Sequence, residues 1–303
     1  MELGLRPIPS DATSPLIEVA ASIWTLEADS FVYYRPPAQP RYPYTHRAVV
    51  IRLEDGSLFI HSPIALTPAI RNDIDALGTV KYLVSPNHIH HLRLSDWSAA
   101  YPDAKLYASP GLPPKRKDLK FETTLSSDVP EPEWKGQIEQ LNFKSWNGWL
   151  DEIVFFHCES RTVIFTDMIM DFDPEIFSGI SRITTRWNQM YRHSPRGIQL
   201  VHSFGRESLR QALANVKAWE PEHLIVAHSP WQCVDGKVQV AEFLKTAFDW
   251  LEPQPKPIET VLGVARFSAL TLLILPFHLL LVLAADIVYP RLVKAETDKS
   301  SLA

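Results

Sequence analysis

The chain has 303 residues, enough for one large domain or two ordinary ones. With 46% hydrophobic, 21% charged and 11% aromatic residues it reads as globular, which excludes a disordered chain. A net charge of -5 lacks the basic surplus of a nucleic-acid binder, and two cysteines outside any CxxC pair, Cys158 and Cys233, exclude a disulfide scaffold or zinc ribbon.

The first stretch, 1–21, reads as an N-terminal extension. It has Glu2, three prolines and no apolar run, so it lacks the pattern of a secretory signal. Strands are expected at Ile23 to Leu26, Ala48 to Leu53 and Ser57 to His61, the last two joined at Glu54-Asp55-Gly56, a hairpin signal. The proline-rich stretch Pro36 to Pro43 must be extended or turning. Thr67 reads as an N-cap before Pro68, with a helix to Leu77 stopped by Gly78. Val80 to Val84 is a β-branched run that feeds into Ser85-Pro86-Asn87-His88-Ile89-His90-His91.

A helix near Asp96 to Tyr101 and a strand at Lys105 to Ala108 follow, then the only dense basic run, Lys115-Arg116-Lys117, which reads as a solvated loop. Ile138 to Phe143 is strand-like. Glu152 to Phe156 and Thr162 to Phe165 form a second hairpin, ending at Thr166-Asp167. Leu209, Leu213 and Val216 stripe a helix over Arg206 to Trp219. His223 to Ala227 is a strand that ends at His228. Val240, Phe243, Ala247 and Trp250 stripe a last helix within a domain taken as residues 22–252.

Pro253, Pro255 and Pro257 make a stiff linker over 253–260. Residues 261–289 are a membrane-anchor candidate and 290–303 a polar tail. Phe267 to Ala285 is apolar except for Ser268, Thr271 and His278, and its 19 residues just reach across a hydrocarbon core of about 30 Å. Pro276 and His278 speak for a buried or interfacial helix instead. Apolarity on every face speaks for the membrane. The expected placement is membrane-associated, with the globular part facing the cytosol, and otherwise cytoplasmic.

Three chemically competent groups sit at one kind of place, the C-terminal end of an expected strand: His88, His90 and His91; Asp167; and His228. Strand ends gather functional side chains because the loops there vary over a rigid sheet. Imidazoles with a carboxylate suit Zn²⁺ or Fe²⁺ and leave positions open for water. His46, His61, His193, His202 and His223 show no clustering. His157 reads as structural, and Glu152 as either a partner of a ligating imidazole or a cross-strand charge.

The stretches HSPIALTP (61–68), VKYLVSPNHIHHL (80–92), DEIVFFHCESRTVIFTD (151–167) and HLIVAHSP (223–230) resemble the domain-of-unknown-function family DUF4336, a divergent branch of the metallo-β-lactamase superfamily. The resemblance implies an α/β (α+β) fold, a four-layer αββα sandwich with a metal site at one edge, here followed by a C-terminal hydrophobic helix. Carried over by position, the superfamily's HxHxDH ends at His91. Its aspartate falls on His90, its second histidine on His88 and its first on Pro86, which cannot ligate. The bridging aspartate falls on Asp167 and the final histidine on His228. The histidine expected before the hairpin falls near Asn147-Gly148 and is missing. The glycines that let backbone approach the metals are replaced by Arg93-Leu94, Thr166 and Ser229.

The implied site is one Zn or Fe ion held by His91, Asp167 and His228, with His90 or His88 as a further ligand or proton shuttle. Three functions stay open. The first is a metal-dependent hydrolase of an ester, thioester or phosphoester, acting on a small-molecule substrate. The second is a non-catalytic membrane-associated binding module. The third is a mononuclear iron oxidoreductase. No nucleic-acid partner is expected, and the oligomeric state is open.

Overall fold

The computed structural model describes residues 5–7, 16–27, 31–32, 43–44, 46–146, 148–177 and 179–252. The linker, the expected C-terminal hydrophobic helix and the tail lie outside these residues, as does most of the proline-rich stretch. Among the described residues no helix is long and apolar enough to cross a membrane.

Two sheets dominate. The first has seven strands in the order 123–124, 105–108, 79–85, 57–61, 47–52, 23–27, 16–20. Its half from Leu16 to His61 is an antiparallel meander, and Ser57–His61, Thr79–Ser85, Lys105–Ala108 and Thr123–Thr124 run parallel. The second has six strands in the order 5–7, 231–235, 223–226, 162–165, 152–157, 138–143. Only its central pair, Thr162–Phe165 with His223–Val226, is parallel. The strand Trp231–Asp235 was not expected from sequence. It follows His228 within three residues and hides behind Pro230.

The sheets pack face to face because successive side chains on a strand point to opposite faces. Val49, Ile51, Phe59, Tyr82 and Val84 of the first sheet meet Ile153, Phe155, Ile164 and Ile225 of the second in an inter-sheet core. Their chain neighbours Ala48, Val50, Leu58, Ile60 and Leu83 face outward onto Ile70, Ile74 and Trp97 of the helices Pro68–Leu77 and Leu94–Ala100. Val154, Phe156, Val163, Phe165, Leu224 and Val226 face outward onto Leu209, Leu213, Val216, Val240, Phe243 and Leu244 of the helices Arg206–Ala218 and Lys237–Ala247. The result is four layers, αββα, with an apolar core between each successive pair. Strands buried on both faces need continuous apolar runs, which is why Ile153 to Phe156 carries no alternation.

The helix Pro68–Leu77 shows how local sequence sets an element. Thr67 Oγ1 accepts from the Ile70 amide at 3.2 Å, Pro68 pre-sets the first turn, and the chain stops at Gly78. Any Cβ at Gly78 would lie 2.4 Å from the Gly56 carbonyl oxygen, so the hairpin turn can approach only a glycine.

Candidate metal centre

The parallel strands Thr79–Ser85 and Thr162–Phe165, together with His223–Val226, deliver their C-terminal ends to one edge between the sheets. At the first of these ends Ser85 Oγ donates to the carbonyls of Asn87 and His90, at 2.8 and 2.7 Å. Asn87 Oδ1 accepts from the amides of Ile89 and His90 at 2.9 and 3.0 Å. These bonds curl the loop so that His90 points inward. The Ile153 amide donates to Pro86 O at 2.8 Å, which ties the loop to the second sheet.

At the second end Glu152, fully buried, collects the amides of Thr166, Asp167 and Met168 at 2.8, 2.7 and 3.0 Å. This fixes the turn that carries Asp167. Burial, then the nearby Asp167, pushes the Glu152 carboxyl above its usual range. At the third end a buried arginine of the first sheet crosses over. Arg47 pairs with Glu27 through two bonds of 2.6 and 3.0 Å and donates to the carbonyls of Val226 and Ser229 at 2.8 and 3.5 Å. Those carbonyls flank His228, and His228 O itself accepts from the Asp171 amide at 2.9 Å.

The three loops bring His90, Asp167 and His228 together, all buried, with one donor atom from each within 4.8 Å of the others. His90 Nε2 lies 3.2 Å from Asp167 Oδ2, His228 Nε2 lies 3.2 Å from Asp167 Oδ1, and the two Nε2 atoms are 3.2 Å apart. Ligands at the usual bond length of about 2.0 Å around a tetrahedral ion stand about 3.3 Å from one another. The two imidazoles each approach a different oxygen of Asp167, and with one donor atom from each residue the set lies within 4.8 Å, so the donor types suit a single ion. Burial opposes ionisation of Asp167, but His90 and His228 outweigh it and hold the carboxyl well below its usual range. Asn87 Nδ2 donates to Asp167 Oδ2 at 2.7 Å and lies 3.4 Å from Glu152 Oε2, so an amide separates the two buried carboxylates.

His91, which the resemblance puts in the ligand set, stands outside this cluster. Its Nδ1 faces Arg116 Nη1 at 3.1 Å, and the same guanidinium donates to His91 O at 2.9 Å. Burial, then Lys115 and Arg116, pushes the His91 imidazole down to about 3. The basic run thus holds His91 instead of lying free in a loop. His88 also stands outside, half-buried, its ring 6.5 Å from that of Trp149.

Two groups escaped the sequence reading. Ser62 Oγ lies 2.6 Å from His90 Nδ1 and 3.3 Å from His46 Nε2. The His46 ring is 4.9 Å from that of His90 and 6.0 Å from that of His228. Burial, then those two rings, drives the His46 imidazole well below its usual range. Ser62 has φ +53, a backbone region that glycine favours, so the fold holds its hydroxyl there against local preference. His61, next to it, is fully buried edge-on to Phe155 at 5.5 Å. His202 is also buried, its Nδ1 donating to Ile198 O at 2.8 Å.

Two sheets packed face to face, flanked by helices, with a His–Asp–His cluster at one edge define a metallo-β-lactamase fold. Solved structures agree on the fold. Rubredoxin oxygen:oxidoreductase from the anaerobe Desulfovibrio gigas matches with a TM-score of 0.55 at 14% identity, over 80% of this chain and 62% of that one. The metal-soaked Flv1 flavodiiron core from Synechocystis sp. PCC6803 matches with a TM-score of 0.55 at 11% identity, over 79% and 61%. The DIM-1 metallo-β-lactamase matches with a TM-score of 0.51 at 14% identity, over 77% and 96%. The chain therefore spans less than two thirds of the length of the first two of these. No curated protein matches it in sequence. The model of the domain of unknown function DUF4336 matches residues 22–196, and the chain belongs to that family. The match takes in His90 and Asp167 and stops before His228.

Proposed function

We propose that the protein is a one-metal hydrolase that acts on an ester, thioester or phosphoester, tethered to a membrane through residues 267–285 with its globular part in the cytosol. The observation that carries the hydrolytic centre is the convergence of His90, Asp167 and His228, all buried, with one donor atom from each within 4.8 Å of the others. A bound Zn²⁺ or Fe²⁺ would polarise a carbonyl or phosphoryl oxygen and acidify a water. The chain's own residues prepare the donors. With Nε2 as the donor atom, His90 gives its Nδ1 proton to Ser62 Oγ. Asn87 satisfies Asp167 Oδ2. Pro86 supplies no ligand, which favours one ion over two. The tether rests on the all-round apolar sequence between Arg266 and Asp286.

A second reading, a mononuclear iron oxidoreductase, draws on the donor types, because two imidazoles and one carboxylate suit Fe²⁺. Elemental analysis of the full chain, purified without chelator, separates the readings when set beside Asp167→Ala and assays on nitrophenyl esters, thioesters and phosphodiesters. The expected result is one equivalent of metal and turnover of one substrate class, both lost in the variant. Absence of stoichiometric metal after reloading overturns both readings. Iron without hydrolysis selects the second. Metal without any turnover points to a binding module.

A further inference from the structure

At the metal-centre end of the second sheet the surface turns aromatic. The loop between the strands Ile138–Phe143 and Glu152–His157 carries Trp146 and Trp149, 56% and 42% exposed. The turn Ser203–Gly205 carries Phe204, 82% exposed. The Trp146 and Phe204 rings meet edge to face at 5.2 Å. The two segments lie side by side: a Cβ built on Gly205 would be in van der Waals contact with Lys144 O and the Trp146 amide, at 3.7 and 3.9 Å. Scattered exposed apolar residues are ordinary, but large rings joined at a loop tip form a patch.

The chain leaves the domain beside this patch. Arg206, two residues after Phe204, donates to Trp250 O, and its guanidinium lies over the Trp250 ring at 5.5 Å. Arg210 Nε donates to Leu251 O at 2.7 Å. The sequence that continues from there carries the apolar run 267–285. Lys144, exposed, sits at the base of the Trp146 loop.

We propose that Trp146, Trp149 and Phe204 dock the domain on the surface of a phospholipid bilayer. The inference rests on the tether proposed above. Trp and Phe rings partition to the headgroup boundary, where one side is wet and the other apolar. A tether keeps the bilayer at high local concentration, so a few rings suffice where a free domain would need a larger surface. His88, two residues before His90, has its ring 6.5 Å from that of Trp149, so the patch borders the loop that shapes the metal centre. The substrate would then reach the centre from the lipid interface.

The test is depth quenching on the full chain in vesicles of phosphatidylcholine and phosphatidylglycerol. In a Cys158→Ser, Cys233→Ser background, an environment-sensitive fluorophore is placed through Phe204→Cys or Trp146→Cys. Val238→Cys serves as control, because Val238 is exposed at the opposite end of the second sheet. A melting temperature equal to that of the unlabelled chain establishes folding for each. Nitroxide-labelled lipid is expected to quench positions 204 and 146 several-fold more than position 238. If the protein floats with the vesicles and all positions stay equally unquenched, the docking patch is wrong and the tether stands. If the protein does not float, the tether and the patch fall together.

Discussion

The two ends of the second sheet handle charge in opposite ways. At the hairpin end Arg161 lies 3.2 Å from Glu222 and 3.8 Å from Glu220, and Lys237 pairs with Glu220 at 2.7 Å. All of these groups are solvent-exposed to a substantial degree, so water and salt screen their pairing. At the metal-centre end Glu152 and Asp167 are buried carboxylates, with Arg47, Asn87 and three backbone amides arranged around the loops. Burying charge costs several kcal/mol per ion unless it is paired. One end is therefore a solvated clasp. The other is an organised site in which Asp167 is held by His90, His228 and Asn87 out of contact with bulk water.

Glu152→Ala tests that difference most severely. It leaves three buried amides without an acceptor, and a loss of about 3–5 kcal/mol is expected from chemical denaturation. Arg161→Ala at the other end also removes bonds to the Trp219 and Glu220 carbonyls, at 2.6 Å each, but leaves those carbonyls within reach of water, so it should cost clearly less than Glu152→Ala. If the two variants lose similar stability, the contrast between the ends is wrong. Glu152→Gln keeps the shape and one acceptor oxygen and should fall between them.

Ser62 separates binding from folding. Ser62→Gly removes the hydroxyl that His90 Nδ1 meets at 2.6 Å and relieves a positive φ. Metal affinity measured by competition with a chelator should fall by about 10–100-fold, the range for partners of metal-ligating histidines. The melting temperature should hold or rise, because glycine accepts that backbone conformation. A variant with unchanged affinity would remove Ser62 from the account of the site.

Much of the fold was legible in the sequence, because strand runs such as Val80 to Val84 and caps such as Thr67 act locally. The site was legible in part. His90, Asp167 and His228 each stand at a strand end, so the sequence pointed to the right edge. Which member of the histidine cluster turns inward depends on bonds from Ser85 and Asn87 within the loop, and the resemblance placed weight on His91, which Arg116 holds elsewhere. His46 and Ser62 were invisible for another reason. Their approach to His90 needs the ladder that sets Arg47–Arg52 beside Ser57–His61 and then Thr79–Ser85, and no spacing rule gives that order.

The smallest expected effect also distinguishes the ends. His157, at the hairpin end, is buried with Nδ1 2.7 Å from Ser160 Oγ. Burial lowers its imidazole to about 4, against a small opposing pull from Glu159. The unfolded chain takes up this proton near the ordinary value of about 6.5, the folded chain not until about 4. Stability contributed by the neutral ring is thus complete above that upper value and lost as pH falls through the window, by up to ~1.4 kcal/mol per pH unit. Urea unfolding at successive pH values should show a slope that flattens in His157→Gln. Histidines that ligate an ion shed their protons on binding, so their share of the slope depends on free metal concentration. The share that disappears in His157→Gln should be the same with excess metal and with chelator. If it changes with metal, the hairpin end is coupled to the centre and the two ends do not act independently.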